Sequence, residues 1–151
     1  GDIQVAIDAI RAAAHKHLFP SLTKEGAPAI LETNGNPDCH LVLRGGDDGP
    51  NYLPSHIENA EMLLRKQGLI PGIMVDCSHA NRSKDPLKQP EVLQDLLAQR
   101  RNGQKHIAGI MLESHLQDGK QPPKKPLQYG LSITDGCLGW DRTAQLLCGI
   151  E

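Results

Sequence analysis

Apolar residues in four stretches of the chain return every three or four positions, a spacing that places them on one face of a helix. Asp2 lies just before the first stretch, where a helix N-cap is expected. Asp141 is the expected N-cap of the last helix, with Ala144, Leu147 and Cys148 turned toward the core. The predicted helices cover residues 3–14, 56–67 and 91–101 and the stretch that begins at Asp141.

Short, continuous apolar runs between these helices predict strands. Three are clear, at residues 39–43, 73–76 and 106–112, and two weaker ones precede them, at residues 18–23 and 29–33. Continuous rather than alternating apolar runs are typical of parallel strands covered by helices. The pattern therefore predicts an α/β fold with a parallel sheet, in a single domain.

Composition narrows the class of protein further. A chain of 151 residues with 38% hydrophobic residues can form one sizeable core, which must be aliphatic because aromatic residues make up only 3%. With 16 basic and 18 acidic residues there is no basic field to attract a nucleic acid. No apolar stretch approaches the roughly 20 residues of a membrane span, and the start lacks signal-peptide features. The four cysteines form no C-x-x-C pair, so we expect reduced thiols and a cytoplasmic protein.

Polar or charged side chains follow each of the three clear strands. The run "LVLRGG" ends on Arg44, "IMVDCSH" on Asp76 and His79, and "IMLESH" reaches Glu113, while "SITDGCLGW" adds Asp135. In parallel α/β proteins the loops at the carboxyl ends of the strands converge on one mouth. We therefore expect these side chains to form a site.

Three of these residues have the donor atoms of a metal centre. His79, Glu113 and Asp135 form a mixed nitrogen and carboxylate set that suits a divalent cation such as Mn, Fe, Co or Zn, among which the set does not choose. Their separations along the chain match no local metal motif. Two alternatives stay open: three separately hydrogen-bonded residues at strand ends, or an acid and base pair that acts without a metal.

Arg44 is followed by two glycines, a pattern that fits an anion clamp. A guanidinium offers a fork of donors to phosphate or carboxylate, and glycines let a ligand approach the backbone. The alternatives are a surface ion pair and an ordinary turn residue. Lys120, Lys124 and Lys125 lie in a proline-rich stretch and favour a solvated loop surface.

The motifs "LRGG", "DCSHAN", "ESHL" and "YGLSITDGCLGW", in this order, resemble the type I 3-deoxy-D-arabino-heptulosonate 7-phosphate (DAHP) synthases, the first enzymes of the shikimate pathway. "VAIDAIRAA", "TNGNPDCH" and "GPNY" extend the resemblance along nearly the whole chain. It implies a (β/α)8 TIM barrel of which residues 1–151 supply the C-terminal half. It also implies a transferase of aromatic amino-acid biosynthesis that condenses phosphoenolpyruvate with erythrose 4-phosphate and releases phosphate.

The resemblance assigns roles to single residues as well. Arg44 corresponds to the arginine that binds phosphoenolpyruvate. Phe19 and Ser21 correspond to part of an effector site for an aromatic amino acid; the alternative for them is a buried aromatic ring beside an ordinary loop hydroxyl. The family's metal ligands fall on the three residues already singled out, His79, Glu113 and Asp135.

The chain corresponds to only half of the family's barrel, and the missing half affects the activity that we expect of it. None of the four cysteines stands where the family's cysteine metal ligand belongs, and half a barrel leaves open sheet edges that invite pairing with another chain. We expect a missing N-terminal half or a homo-oligomer, and little activity from this chain alone. The alternatives are a non-catalytic half-barrel that acts as a binding or assembly module, and a relative of the 3-deoxy-octulosonate 8-phosphate synthases.

Overall fold

The computed structural model describes residues 2–82 and 85–150 of the chain. Each helix and strand that the apolar pattern predicts is present, although the strand predicted at residues 39–43 is shorter. In chain order the elements are α1 (Ile3–Ala14), β1 (His17–Leu22), β2 (Pro28–Thr33), β3 (Leu41–Leu43), α2 (Pro54–Lys66), β4 (Ile73–Asp76), α3 (Gln89–Arg101), β5 (Ile107–Met111) and α4 (Trp140–Cys148). Two short 3₁₀ turns, His79–Arg82 and Pro86–Lys88, lie between β4 and α3.

A three-stranded parallel sheet in the order β3-β4-β5 forms the centre of the molecule. Helix α2 connects β3 to β4, and α3 connects β4 to β5, so the alternating α/β architecture is confirmed. Because all three strands run in the same direction, the segments that follow them leave from the same edge of the sheet. Within residues 2–82 and 85–150, neither β3 nor β5 has a further strand on its outer edge.

One face of this sheet is buried and the other is not. Alternate side chains of a strand point to opposite faces, so Leu41 and Leu43 face the helices while Val42 between them is exposed. Val42 is paired with Met74, and Met74 with Gly109, along this second face. The covered face is continuous with the aliphatic core, which contains Leu41, Leu43, Ile57, Leu64, Ile73, Val75, Leu93 and Leu96.

Strands β1 and β2 form a separate antiparallel hairpin rather than joining the parallel sheet. Its loop closes through hydrogen bonds within residues 23–27, where Gly26 takes the positive φ of 81° that a tight turn requires. Large apolar side chains on this hairpin are exposed, among them Leu18, Leu22 and Ile30. The apolar runs thus predicted the two strands correctly but not their exposure.

Helix α4 corrects two details of the sequence prediction. Its N-cap is Gly139 rather than Asp141, which lies in the first turn. The capping carboxylate comes from a distant loop, since Asp118 Oδ1 accepts a hydrogen bond of 2.6 Å from the Gly139 N–H. Leu146 packs against the core and Ala144 is half-buried, whereas Leu147 and Cys148 are exposed, so the predicted inward face was wrong for those last two residues. The spacing of apolar residues predicted the helix correctly, but the face that is buried depends on the residues that pack against it.

Among the residues that the structure describes, no helix combines the length and apolar character needed to cross a bilayer.

Candidate metal and anion site

The side chains of His79, Glu113 and Asp135 meet at the carboxyl edge of the parallel sheet. One ligand atom of each lies within 4.8 Å of those of the other two, and His79 Nε2 is 3.5 Å from Glu113 Oε1. His79 and Glu113 are partly buried, and Asp135 is exposed. The three residues come from the segments after β4, after β5 and before α4, so they share one site rather than three.

The turn after β4 sets the orientation of His79. Asp76, the last residue of β4, is 1% exposed, and its Oδ2 lies 2.5 Å from His79 Nδ1. Its other oxygen, Oδ1, accepts hydrogen bonds from the Ser78 backbone N–H (2.7 Å) and hydroxyl (2.5 Å). His79 itself has a φ of 45°, a left-handed conformation that is uncommon outside glycine. This turn brings the ring back over Asp76 and leaves Nε2 as the nitrogen that faces Glu113.

Glu113 is held by a side chain from the next layer. Gln89, at the start of α3, is fully buried. Its Oε1 accepts from the Glu113 N–H (2.8 Å), and its Nε2 donates to the Glu113 carbonyl (3.1 Å). The Glu113 carbonyl also accepts from the Leu138 N–H at 2.9 Å, so the backbone of Glu113 is fixed from two sides just beyond the end of β5 at Met111. Sequence reasoning missed Gln89, since nothing in its local spacing separates a buried glutamine from an exposed one.

A buried amide joins the segment that carries Arg44 to the turn that carries His79. Asn81 Nδ2 donates to the carbonyls of Leu43 (3.1 Å) and Asp76 (2.8 Å), the last residues of β3 and β4. Its Oδ1 accepts from the Asn51 N–H at 2.8 Å. The motif "DCSHAN" contained Asn81, but its role depends on partners far away in the sequence.

Arg44 and its first glycine pack directly against the same turn. Gly45 has a φ of 74°, and a Cβ there would lie 2.7 Å from the Ala80 Cβ and 2.9 Å from the Asn81 nitrogen. No ion pair within residues 2–82 and 85–150 involves Arg44, so the alternative of a surface ion pair has no partner. A cavity of about 420 Å³ is lined by Arg44, His79, Arg82, Lys120 and Asp135, among others.

Cationic side chains surround the carboxylates of this cavity. Arg82 is nearly buried, and its Nη2 lies 3.6 Å from Glu113 Oε2. Lys120, for which the sequence favoured a solvated loop surface, lines the cavity, and so does Arg44, the residue that follows β3. Positive groups beside a cluster of metal-type ligands suit a small anionic ligand.

The nearby cysteines do not belong to the donor set. Burial, and then the charge of Asp76, raises the pKa of the Cys77 thiol to about 12. Burial also raises the pKa of Cys137. Among the described residues, the group of metal-type donors consists of His79, Glu113 and Asp135 and includes neither thiol.

Phe19 and Ser21 lie elsewhere, on β1. Both side chains are on the same face of the hairpin because they are two residues apart in a strand. Phe19 is 43% exposed, so the alternative of a buried aromatic ring beside a loop hydroxyl is wrong. Neither residue lines the cavity at the sheet edge.

The similarity of this chain to known proteins extends over nearly its whole length. Residues 2–148 match the family model described as the DAHP synthetase I family. The chain is 50% identical over 149 residues to a phospho-2-dehydro-3-deoxyheptonate aldolase of Haemophilus influenzae. It is 47% identical over 153 residues to a tyrosine-inhibited aldolase of the same name from Schizosaccharomyces pombe. Each alignment covers 97% of this chain and 41% of the relative.

A solved structure of a phospho-2-dehydro-3-deoxyheptonate aldolase is also similar to this chain. The phospho-2-dehydro-3-deoxyheptonate aldolase of Francisella tularensis superposes with a TM-score of 0.90 at 43% identity, over 97% of this chain and 43% of that one. The chain therefore spans about two-fifths of the length of the relatives it matches.

Proposed function

Because the chain belongs to the DAHP synthetase I family, we propose that it takes part in the condensation of phosphoenolpyruvate with erythrose 4-phosphate. The products are 3-deoxy-D-arabino-heptulosonate 7-phosphate and phosphate. The observation that carries this proposal is the convergence of His79, Glu113 and Asp135 beside the cavity that Arg44 lines. A set of metal-type ligands next to a guanidinium matches a reaction between an aldehyde and a phosphorylated acid.

The chain supplies the C-terminal half of a (β/α)8 barrel in this proposal. Support comes from the three-stranded parallel sheet, whose second face is bare, and from the match to about two-fifths of each relative. The remaining strands come from another polypeptide segment or another copy of the chain. With only part of the barrel and of the ligand set, this chain alone has little activity.

The proposed site holds a divalent cation, Mn, Fe, Co or Zn, through His79, Glu113 and Asp135. Two features of the residues fit such an ion. The His79 Nε2 faces the carboxylates, and the buried Glu113 Oε2 receives no hydrogen bond from the described residues, Arg82 being 3.6 Å away. A cation held by these residues would supply Lewis-acid chemistry toward an aldehyde oxygen.

Arg44 is the proposed ligand of phosphoenolpyruvate. Its guanidinium neutralises phosphate or carboxylate charge as the enol carbon attacks the aldehyde. Arg82 and Lys120 line the same cavity and add to its positive potential. The loop contacts of Gly45 with Ala80 keep this arginine beside His79.

A separate effector site on the hairpin is proposed for an aromatic amino acid. The exposed ring of Phe19 offers a stacking surface, and the Ser21 hydroxyl on the same face offers a hydrogen bond. The proposal predicts that Phe19→Ala and Ser21→Ala leave cation binding at the sheet edge unchanged.

Titration with Mn²⁺, followed by calorimetry, tests the cation site. His79→Gln and Glu113→Gln should each weaken binding by about 100-fold or more, since they remove ligands rather than outer partners. The matched substitutions His15→Gln and Glu25→Gln, at exposed positions, should leave binding unchanged. A wild-type chain that binds no Mn²⁺ but forms a stable oligomer would favour the non-catalytic half-barrel module. Which sugar phosphate the complete enzyme consumes separates a heptulosonate synthase from an octulosonate one.

A further inference from the structure

We propose that Asp76 is a positioning residue that keeps the proton of His79 on Nδ1 and thereby presents the Nε2 lone pair to the cation. The inference rests on the proposed function, because it gives Asp76 a role toward the same cation. It goes further in naming the residue that decides whether His79 can act as a ligand at all.

Two oxygen atoms lie within hydrogen-bond distance of His79 Nδ1. Asp76 Oδ2 lies 2.5 Å from it, and the Ser78 hydroxyl oxygen lies 2.8 Å from it. An ionised carboxylate only accepts hydrogen bonds. The single hydroxyl proton of Ser78 is already donated to Asp76 Oδ1 at 2.5 Å. Both neighbours of Nδ1 are therefore acceptors, so Nδ1 carries the proton.

The Asp76 side chain is held in place beside the ring. Its Oδ1 is held by two donors of Ser78, the backbone N–H and the hydroxyl. Its backbone is held by the pairing of β4 with β5 and by the Asn81 amide, which donates to the Asp76 carbonyl at 2.8 Å. Only Oδ2 remains for His79, and the side chain is almost completely removed from solvent.

The opposite side of the imidazole faces carboxylates. His79 Nε2 points to Glu113 Oε1 at 3.5 Å, and the ligand atoms of His79, Glu113 and Asp135 lie within 4.8 Å of one another. With the proton on Nδ1, Nε2 holds a lone pair among two carboxylates, an arrangement that a cation satisfies. A carboxylate behind a ligating imidazole also raises the basicity of the ligating nitrogen.

Asp76→Asn makes this assignment testable because the direction of the amide can be foreseen. The Ser78 N–H requires an acceptor, so the amide oxygen should occupy the position of Oδ1. The amide NH₂ then faces His79 Nδ1 and donates to it. The ring proton must move to Nε2, which can no longer bind a cation.

The tautomer can be measured without any metal. The chain is labelled with ¹⁵N-histidine for NMR, and the His79 signals are assigned by their loss in His79→Gln. In the wild type the proton should be on Nδ1. In Asp76→Asn it should be on Nε2. Ser78→Ala, which keeps the Oδ2 contact, should retain the wild-type tautomer. A wild-type ring protonated on Nε2, or on both nitrogens, would overturn the assignment whether or not Asp76→Asn folds.

Mn²⁺ titration of the same chains supplies the second readout. Asp76→Asn should bind about 10–100-fold more weakly than the wild type, the range typical of an outer partner of a ligating histidine. Asp85→Asn, which alters an exposed cap on the following turn, should bind like the wild type. Equal affinity of Asp76→Asn and wild type would refute the positioning role. Failure of the wild type to bind Mn²⁺ would instead refute the proposed cation site. The NMR measurement of the His79 tautomer would still test whether Asp76 keeps the proton on Nδ1.

Discussion

The parallel sheet and the β1–β2 hairpin are built from similar apolar runs, yet only the sheet buries them. Ile73 in β4 is 0% exposed, and Ile30 in β2 is 67% exposed. The sheet receives α2 and α3 on one face, whereas the hairpin leaves large apolar side chains on the surface. A strand needs a second layer to form a core, and the order of elements along the chain supplies that layer only to β3, β4 and β5.

The same contrast separates the two proposed binding regions. At the carboxyl edge of the sheet, buried polar residues hold the site from behind, as Asp76 does for His79 and Gln89 for Glu113. On the hairpin, the side chain of Phe19 is exposed. The covered region can therefore hold ligands in fixed positions, and the hairpin offers a surface.

Matched isoleucine substitutions test the contrast most strongly. Ile73→Ala should lower the free energy of unfolding by about 2–5 kcal/mol, because it removes buried methyl groups and leaves a cavity. Ile30→Ala should cost about 1 kcal/mol or less, mainly through strand propensity. Urea denaturation followed by circular dichroism measures both. Equal losses would mean that the hairpin is covered in solution.

Matched asparagine substitutions address the polar support of the site. Asn81→Ala leaves the Asn51 N–H and the carbonyls that end β3 and β4 without this partner. It should lower the free energy of unfolding by about 1–3 kcal/mol. Asn36→Ala removes one exposed bond, to the Asp38 N–H, and should cost about 0.5 kcal/mol or less. The same denaturation experiment compares them. A larger loss for Asn36→Ala would contradict the view that stability is concentrated at the sheet edge.

The smallest expected effect concerns the pH dependence of the attachment of α4. The Gly139 N–H, and then the Arg142 side chain, lower the pKa of Asp118 below its ordinary value of 3.8. The stabilisation is therefore present above pH 3.8 and is lost as the pH falls through the lowered pKa of the folded state. Trp140, the single tryptophan and the first residue of α4, reports this by fluorescence. Asp118→Asn should abolish the change in Trp140 fluorescence at acid pH. If that change persists in the variant, a group other than Asp118 causes it.

The positions of helices and strands were accessible from the sequence because hydrophobic periodicity is a local property. The same holds for Arg44, His79 and Glu113, which stand out because polar residues interrupt apolar runs at strand ends. The motifs around them also identified the family that the comparisons show. Parallel strands bring such ends to one edge, so convergence followed from the predicted topology.

The chain alone determined its elements, its family and the residues at its strand ends. Only the tertiary structure decided which face of α4 is buried, which strands lie outside the sheet, and which side chains orient the proposed ligands. Gln89 contacts Glu113 across 24 positions and Asn81 contacts Leu43 across 38. Such contacts depend on the path of the chain in space, and no periodicity within one element encodes them.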